Sequence, residues 1–115
     1  MLAKTFRFHG HEVIRRVYKQ GQAQRSRLGS VHVLKNDRSK TTHVAVVVSR
    51  KVDKSAVVRN RIRRRIYELV RHSDITKAVG MDMVITIQKV EAATLSHEEL
   101  EKEINILLQK VGPSS

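Results

Sequence analysis

The sequence predicts one α+β domain in which a mixed sheet of about four strands packs in an α-β-β-(β)-α-β-α sandwich. Three observations support this prediction. Short runs rich in valine and isoleucine, typical of strands, occur in the first half of the chain and again after residue 80. Amphipathic helical patterns lie near both ends and, richest in arginine, at the centre. The 115 residues suit a single domain, residues 1–115, with a modest aliphatic core.

The first predicted element is a short amphipathic helix over residues 11–20, about three turns long. Gly21 follows it at the position where a glycine commonly ends a helix. Arg15, Arg16 and Lys19 fall outside its apolar face. That face consists of four residues at helical spacing, Val13, Ile14, Val17 and Tyr18.

Strands are predicted at residues 28–34 and 43–49, and the polar loop between them predicts that the two form a β-hairpin. The second run is apolar on consecutive positions, which predicts a central strand covered on at least part of both faces. The pattern also allows a short strand at residues 22–27. A polar helical turn is predicted within 73–79, before the last strand at 83–87.

The last predicted helix begins at Ser96, because Glu99 three residues later completes a capping box. Leu95 and Leu100 stand at the positions of a hydrophobic staple across this cap. Gly112, followed by proline, marks the expected end of the helix. Its core face is predicted to contain Leu100, Ile104, Leu107, Leu108 and Val111.

The central helix lies in residues 50–71, which carry nine Arg or Lys against two acids, a net +7 of the chain's +12. It is predicted from about Ala56. Its apolar stripe is Val58, Ile62, Ile66 and Leu69, and the same periodicity places Tyr67 on the opposite, solvent side. Glu68 is the only acid on the helix, so its arginines cannot pair internally, and the expected partner is a polyanion such as phosphate.

A charge run is often only a solvated face, but this one is almost entirely arginine, which suits phosphate oxygens and nucleobase stacking better than solubility requires. Residues 1–49 are also basic, at net +8, whereas residues 72–115 are net −3. The composition therefore favours a nucleic-acid-binding surface on the first 71 residues, with the C-terminal segment away from it.

The sequence shows no recognisable active site of its own. The chain has no cysteine, which excludes disulfides, catalysis by a thiol and zinc sites built from cysteine. His9 and His11 have poor spacing for a metal, and Asp53, Asp74 and Asp82 fall in no two-metal constellation. No run is long and apolar enough for a membrane span or signal region, so we expect a soluble, cytoplasmic protein.

Residues 56–64 read AVVRNRIRR and follow SRKV at 49–52, and together they resemble the signature of the bacterial ribonuclease P protein component. Upstream, residues 6–8 (FRF) and 17–21 (VYKQG) resemble the family's first helix and the turn after it. The strand at 83–87 and the terminal helix come in the family's order. The resemblance covers nearly the whole chain, most specifically at its centre.

The resemblance implies a protein subunit that acts with a catalytic RNA to remove the 5′ leader from precursor tRNA. It implies that catalytic groups and Mg²⁺ are held by the RNA and substrate, with no catalytic or metal-binding residue in the protein, and a monomer in a 1:1 ribonucleoprotein. It also implies a left-handed crossover between the strands flanking the arginine helix, although right-handed connections are the general rule.

Two sets of site residues follow from the resemblance. The positions implied to contact the catalytic RNA are Arg50, Lys51, Lys54, Arg59, Asn60, Arg61, Arg63 and Arg64. The positions implied to line a cleft for the single-stranded leader are Ile14, Tyr18 and His32. Single strands bind by base stacking and by a basic track along the backbone. The family usually has an aromatic residue where Ile14 stands and a tyrosine where His32 stands, so stacking is expected from Tyr18 alone, and packing is the alternative role of all three residues.

Two other classes of protein remain as alternatives. A ribosomal or generic structured-RNA-binding protein would share the small basic α+β composition, and a self-sufficient nuclease would cleave RNA without a partner. The RNR sequence after residues 49–51 favours the ribonuclease P interpretation over the first. The second would need an active site in the protein itself.

Overall fold

The computed structural model describes residues 11–36, 42–73 and 80–111. The predicted helical turn within 73–79 and the predicted helix end at Gly112 lie outside the described residues, apart from Ser73. The elements follow the predicted order, and the optional strand is present: α1 (His11–Gln20), β1 (Gln22–Arg25), β2 (Gly29–Lys35), β3 (His43–Val48), α2 (Ala56–Arg71), β4 (Met81–Ile87), a 3-10 helix (Val90–Ala93) and α3 (His97–Val111).

The four strands form one mixed sheet in the order β1-β2-β4-β3. β2 is antiparallel to both β1 and β4, whereas β3 runs parallel to β4. The predicted mixed sheet is therefore confirmed. Because α2 lies between the parallel strands β3 and β4 in the chain, the predicted crossover connection is present. Its predicted left-handedness stays a prediction.

The predicted hairpin between residues 28–34 and 43–49 is wrong, because β4 lies between β2 and β3. The link at 36–42 is long enough to pass the width of β4. Extended chain covers about 3.3 Å per residue, and the two strands on either side of an intervening strand lie about 10 Å apart. In this internal position β4 is buried without interruption over Asp82–Ile85. β3, predicted to be central, is an edge strand, although α1 and α2 cover its two faces.

The sheet separates two apolar clusters. α1 packs on one face through Val17, which lies with Ala45 and Val84 in the smaller cluster. α2, α3 and the 3-10 helix cover the other face. The strands contribute alternate residues to the two faces, so the larger cluster contains Val31, Val44, Val46, Val48, Met83, Ile85 and Ile87 from the sheet.

The end of α1 depends on a glycine for a steric reason. The Gly21 N–H donates to the Val17 carbonyl at 2.8 Å, which closes the last turn of α1. A Cβ at Gly21 would lie 2.5 Å from the Val17 oxygen and 2.7 Å from the Val33 oxygen. The predicted stop is correct, but its cause is the close approach of the helix end to β2. By contrast, Gly80 has a φ of 73° just before β4, a conformation that favours glycine.

The buried side of α2 agrees with the predicted stripe at Ile62, Ile66 and Leu69. The prediction for Tyr67 is wrong, since this side chain is only 8% exposed. Its hydroxyl oxygen accepts a hydrogen bond from the Val46 N–H at 3.0 Å. The long side chain thus gives a hydrogen-bond partner to a backbone N–H of β3, which is the outermost strand of the described sheet.

Side-chain caps begin the two longer helices. The Ser55 hydroxyl accepts from the Val58 N–H at 3.4 Å at the start of α2. The Ser96 hydroxyl accepts from the Glu99 N–H at 3.2 Å at the start of α3, as its capping sequence predicted. Leu95 packs against the large cluster and Leu100 is buried in it, as expected of the staple positions.

Candidate nucleic-acid interface

A tight turn before α2 presents three predicted contact residues to solvent. The Val52 N–H donates to the Ser49 carbonyl at 3.1 Å, and Val52 packs against the large apolar cluster. The Asp53 carboxylate accepts from the Ser55 N–H at 2.7 Å. These bonds fix the backbone of the turn, so that its exposed side chains, Arg50, Lys51 and Lys54, extend from a defined scaffold.

Arg59 braces this turn from the first turn of α2. Its Nη1 donates to the carbonyls of Asp53 and Lys54, each at 2.9 Å. The guanidinium therefore holds the shape of the turn as well as adding charge to the surface. An open groove is lined by Arg50, Lys51, Lys54, Ala56 and Arg59. Four of these five residues are cationic, so the groove suits an anion.

The remaining predicted contacts lie along the solvent side of α2. Asn60, Arg61 and Arg64 are exposed, whereas Arg63 is half-buried. The Arg63 guanidinium donates to the Asn60 side-chain oxygen, which fixes the orientation of both groups. The structure thus brings all eight predicted contacts together on the turn at 49–55 and the first half of α2.

The acid of α2 is kept apart from these arginines. Glu68 lies near the C-terminal end of α2, where its carboxylate accepts from Arg71 and contacts the His72 Nε2 at 3.2 Å. The hydrogen bond from Arg71 is the main cause that lowers the pKa of Glu68 to about 2. The carboxylate thus has its partners at its own end of the helix and does not pair with the arginines of the first half.

Arg65 has a structural role that charge counting misses. Its Nη1 donates to the Ala92 carbonyl at 2.8 Å and its Nη2 to the Leu95 carbonyl at 2.5 Å. Burial, followed by repulsion from Arg61, lowers its pKa from the usual arginine value. Arg65 thus ties α2 to the 3-10 helix and the start of α3, and its guanidinium faces protein.

The three predicted cleft residues meet on the α1 side of the sheet. Ile14 and Tyr18 pack against the small apolar cluster. The Tyr18 ring lies edge-on to the His32 ring, with centroids 4.7 Å apart and an interplanar angle of 82°. The Tyr18 hydroxyl is 2.5 Å from the Thr86 hydroxyl, within hydrogen-bonding distance. These contacts hold the tyrosine ring in one orientation, half-buried above the sheet.

His32 is kept neutral by its surroundings. Its Nδ1 is buried and has no hydrogen-bond partner among the described residues. Burial is the main cause of a lowered pKa for His32, and the nearby positive charge of Arg25 adds to it. Either neutral tautomer leaves Nδ1 without a partner among the described residues, and a charged ring would cost more to bury than a neutral one.

Thr86 is the member of this cleft that the sequence patterns did not single out. It lies on β4 opposite Ser30 of β2 and Val47 of β3. Because side chains alternate along a strand, the predicted strand already places Thr86 on the face opposite Ile85 and Ile87. This alternation was the one feature of the sequence from which the position of Thr86 could have been predicted. Its pairing with Tyr18 could not be found this way, because the two residues are 68 positions apart.

The acids considered as metal ligands have structural partners. Asp82 is buried and accepts from the Asn36 side chain at 3.2 Å, while His43 Nδ1 lies 3.4 Å from its carboxylate. Asp53 caps the turn before α2, and Asp74 lies outside the described residues. Within residues 11–36, 42–73 and 80–111 no three His, Asp or Glu side chains are grouped to hold a metal ion.

The same described segments contain no helix with the length and apolar character needed to cross a membrane.

The family of this chain is shown by comparison with known proteins. A model of the family Ribonuclease P matches residues 2–112. The ribonuclease P protein component of Symbiobacterium thermophilum is 32% identical over 111 residues, which is 96% of this chain and 95% of the relative. The component from Clostridioides difficile is 34% identical over 101 residues, covering 87% of this chain and 86% of the relative.

Solved structures share the fold at lower identity. An RNase P protein mutant from Staphylococcus aureus with defective mRNA degradation activity superposes with a TM-score of 0.82 at 21% identity, covering 94% of this chain and 89% of that one. The RNase P protein from Thermotoga maritima has a TM-score of 0.76 at 20% identity, covering 90% and 96%. Since the family model spans nearly all residues and the α+β fold agrees, the chain belongs to the ribonuclease P protein family.

Proposed function

We propose that this chain is the protein subunit of ribonuclease P. It binds the catalytic RNA and the 5′ leader of precursor tRNA, and it promotes the endonucleolytic removal of the leader that produces mature tRNA 5′ ends. The observation that carries this proposal is the braced turn and α2 surface, on which the family's RNR sequence lies beside a cationic groove with Asn60 and Arg61 exposed.

The chemistry is divided between RNA and protein in this proposal. The catalytic groups and the Mg²⁺ ions would be held by the RNA subunit and the substrate, where the metal would supply activation of water for hydrolysis of the phosphodiester. The mature tRNA keeps the 5′ phosphate, and the leader leaves with a 3′ hydroxyl. The protein contributes fixed positive charge and a place for the leader. Such positioning raises the rate because the reacting groups meet in a defined geometry.

Binding to the catalytic RNA is assigned to the eight residues of the turn and α2. Arginine donates two parallel hydrogen bonds to phosphate oxygens, and each neutralised phosphate releases condensed counterions. The brace from Arg59 means that the backbone of the turn that carries Arg50, Lys51 and Lys54 needs little reordering on binding. This preorganisation lowers the entropic cost of binding.

Binding of the leader is assigned to the cleft between α1 and the sheet. Tyr18 offers an aromatic ring held in place by Thr86 and His32, and Ile14 offers an adjoining apolar surface. Single-stranded RNA is commonly held by stacking of its bases on such rings. We further propose that one copy of the protein joins one RNA and that the assembly acts in the cytoplasm.

Reconstitution tests the function directly. The protein should increase site-specific cleavage of a precursor tRNA by the ribonuclease P RNA at low Mg²⁺, and the purified protein alone should cleave nothing. Product ends would be mapped on a gel, with mature tRNA as a control substrate. Binding to unrelated structured RNA with no effect on cleavage would instead identify a generic RNA-binding protein, and cleavage by the protein alone would identify a nuclease.

The α2 surface makes a quantitative prediction for salt dependence. Arg61→Ala should weaken binding to the ribonuclease P RNA and flatten the plot of log affinity against log salt by about 0.7 to 0.9 unit for each phosphate that the protein no longer neutralises. Arg61 is exposed, so the circular dichroism spectrum should not change. Arg59 is unsuitable for this test, since its removal would also release the turn.

The control for this titration is Lys102→Ala, which removes one exposed charge from α3, a helix that carries none of the predicted RNA contacts. Its salt slope should equal that of the unaltered protein. A slope for Arg61→Ala that matches both of these would contradict the assignment of α2 to the RNA.

A further inference from the structure

Val57 is an apolar side chain that the fold leaves in solvent. Within the described residues, three large hydrophobic side chains are exposed: Val57 at 75%, Val90 at 41% and Ile106 at 38%. Val57 is therefore the most exposed of them by a wide margin. It lies in the first turn of α2, which begins at Ala56.

Neither packing nor helix stability accounts for a valine at this position. Val57 belongs to neither apolar cluster, whereas its neighbour Val58 packs against the larger one. A β-branched residue on an exposed helix surface is also less favourable than alanine or a long polar side chain, because its side chain loses rotameric freedom. The start of α2 is already stabilised by the cap from Ser55.

The position of Val57 on α2 places it on the arginine surface. Residues spaced i, i+4 and i+7 lie along one face of a helix, so Val57, Arg61 and Arg64 form one ridge, away from the buried Ile62. All three ridge residues are exposed. The adjoining Ala56 lines the cationic groove. The apolar patch formed by Ala56 and Val57 is thus bordered by cations along the helix and in the groove.

We propose that the patch of Ala56 and Val57 is an apolar contact with the ribonuclease P RNA, seated against ribose groups of a structured region. This inference rests on the proposed function and adds a binding residue to it. Because cationic side chains border the patch, the molecule expected to bind there is a polyanion. Double-stranded RNA exposes its riboses in a wide and shallow minor groove, which a short side chain on a helix can reach while flanking arginines bind phosphates.

An apolar contact has a different thermodynamic signature from a phosphate contact. Removing a cation changes the number of counterions released, so the salt slope changes. Removing a methyl group from the interface reduces the buried apolar surface and releases no counterion, so the affinity falls by the same factor at every salt concentration. The two kinds of residue on one ridge can therefore be separated in one titration.

The test compares Val57→Ser, Arg61→Ala and Ile106→Ser in binding to the ribonuclease P RNA over a range of salt concentrations. Val57→Ser should weaken binding by about tenfold with an unchanged salt slope, since it removes most of the apolar surface of one valine. Ile106→Ser removes an exposed apolar residue from α3 and should change neither quantity. Circular dichroism and thermal melting verify that each variant folds.

The outcomes separate this inference from the proposed function. Full affinity for Val57→Ser beside a flattened slope for Arg61→Ala would overturn the apolar contact and leave the proposed function intact. A changed salt slope for Val57→Ser would also overturn the apolar contact, because Val57 would then affect binding by positioning the neighbouring cationic side chains. No effect of either variant would remove the α2 surface from the RNA interface and overturn this inference, and the reconstitution assay would then decide the proposed function separately.

Discussion

Ile62→Asp is expected to unfold the protein. Ile62 is fully buried in the large cluster between α2 and the sheet, where a carboxylate would be surrounded by apolar side chains. Placing an unpaired charge in such a site costs several kcal/mol, a large share of the roughly 5–15 kcal/mol that stabilises a typical domain. Loss of the circular dichroism signal and of the thermal transition would be measured.

Arg64→Asp is the matched charge change on the opposite side of the same helix. Arg64 is exposed, so the fold should survive, while assembly with the ribonuclease P RNA should be abolished by repulsion from phosphate. Ile62→Ala supplies an intermediate case, with an expected loss of about 2–5 kcal/mol from the cavity it creates. Equal stability of the two aspartate variants would mean that the buried side of α2 is wrongly identified.

Tyr18→Ala is expected to weaken the affinity of the holoenzyme for precursor tRNA with a leader of several nucleotides by roughly 5- to 150-fold. This range corresponds to the loss of one base–aromatic stack, about 1 to 3 kcal/mol. Affinity for mature tRNA, which lacks the leader, should hardly change. Both substrates would be titrated with one holoenzyme preparation.

Two further variants separate stacking from packing at this position. Tyr18→Phe loses the hydrogen bond to Thr86 but keeps the ring, so it should retain most of the leader-dependent affinity. Tyr18→Leu keeps apolar contact with the small cluster but has no aromatic face, so it should behave like Tyr18→Ala. Equal losses for precursor and mature tRNA in the alanine variant would show that Tyr18 is a packing residue and that the leader binds elsewhere.

The strand order shows where sequence patterns fail. The valine-rich run at 43–48 predicted a strand correctly, but not its place at the edge of the sheet. Short strands joined by links of several residues satisfy the same local pattern in several arrangements. The choice among them depends on pairing with β4, which follows more than thirty residues later.

Local sequence was sufficient to predict the bounds of α1, the start of α2 near Ala56, the cap of α3 and the concentration of arginine on one surface. These features depend on residues within a few positions of one another, so periodicity and capping rules describe them fully. The family signature likewise lies in one continuous segment. The candidate RNA contacts could be named for the same reason.

The roles of several of these side chains, by contrast, follow from tertiary packing. Tyr67 is buried against the edge of β3 at Val46, 21 residues away, and Arg65 binds carbonyls 27 and 30 residues away. Both belong to the same helix as the exposed Arg61 and Arg64, and helical periodicity does not reveal their partners. A hydrogen bond over such sequence distances exists only once packing has fixed both ends, because its geometry must hold within a few tenths of an ångström.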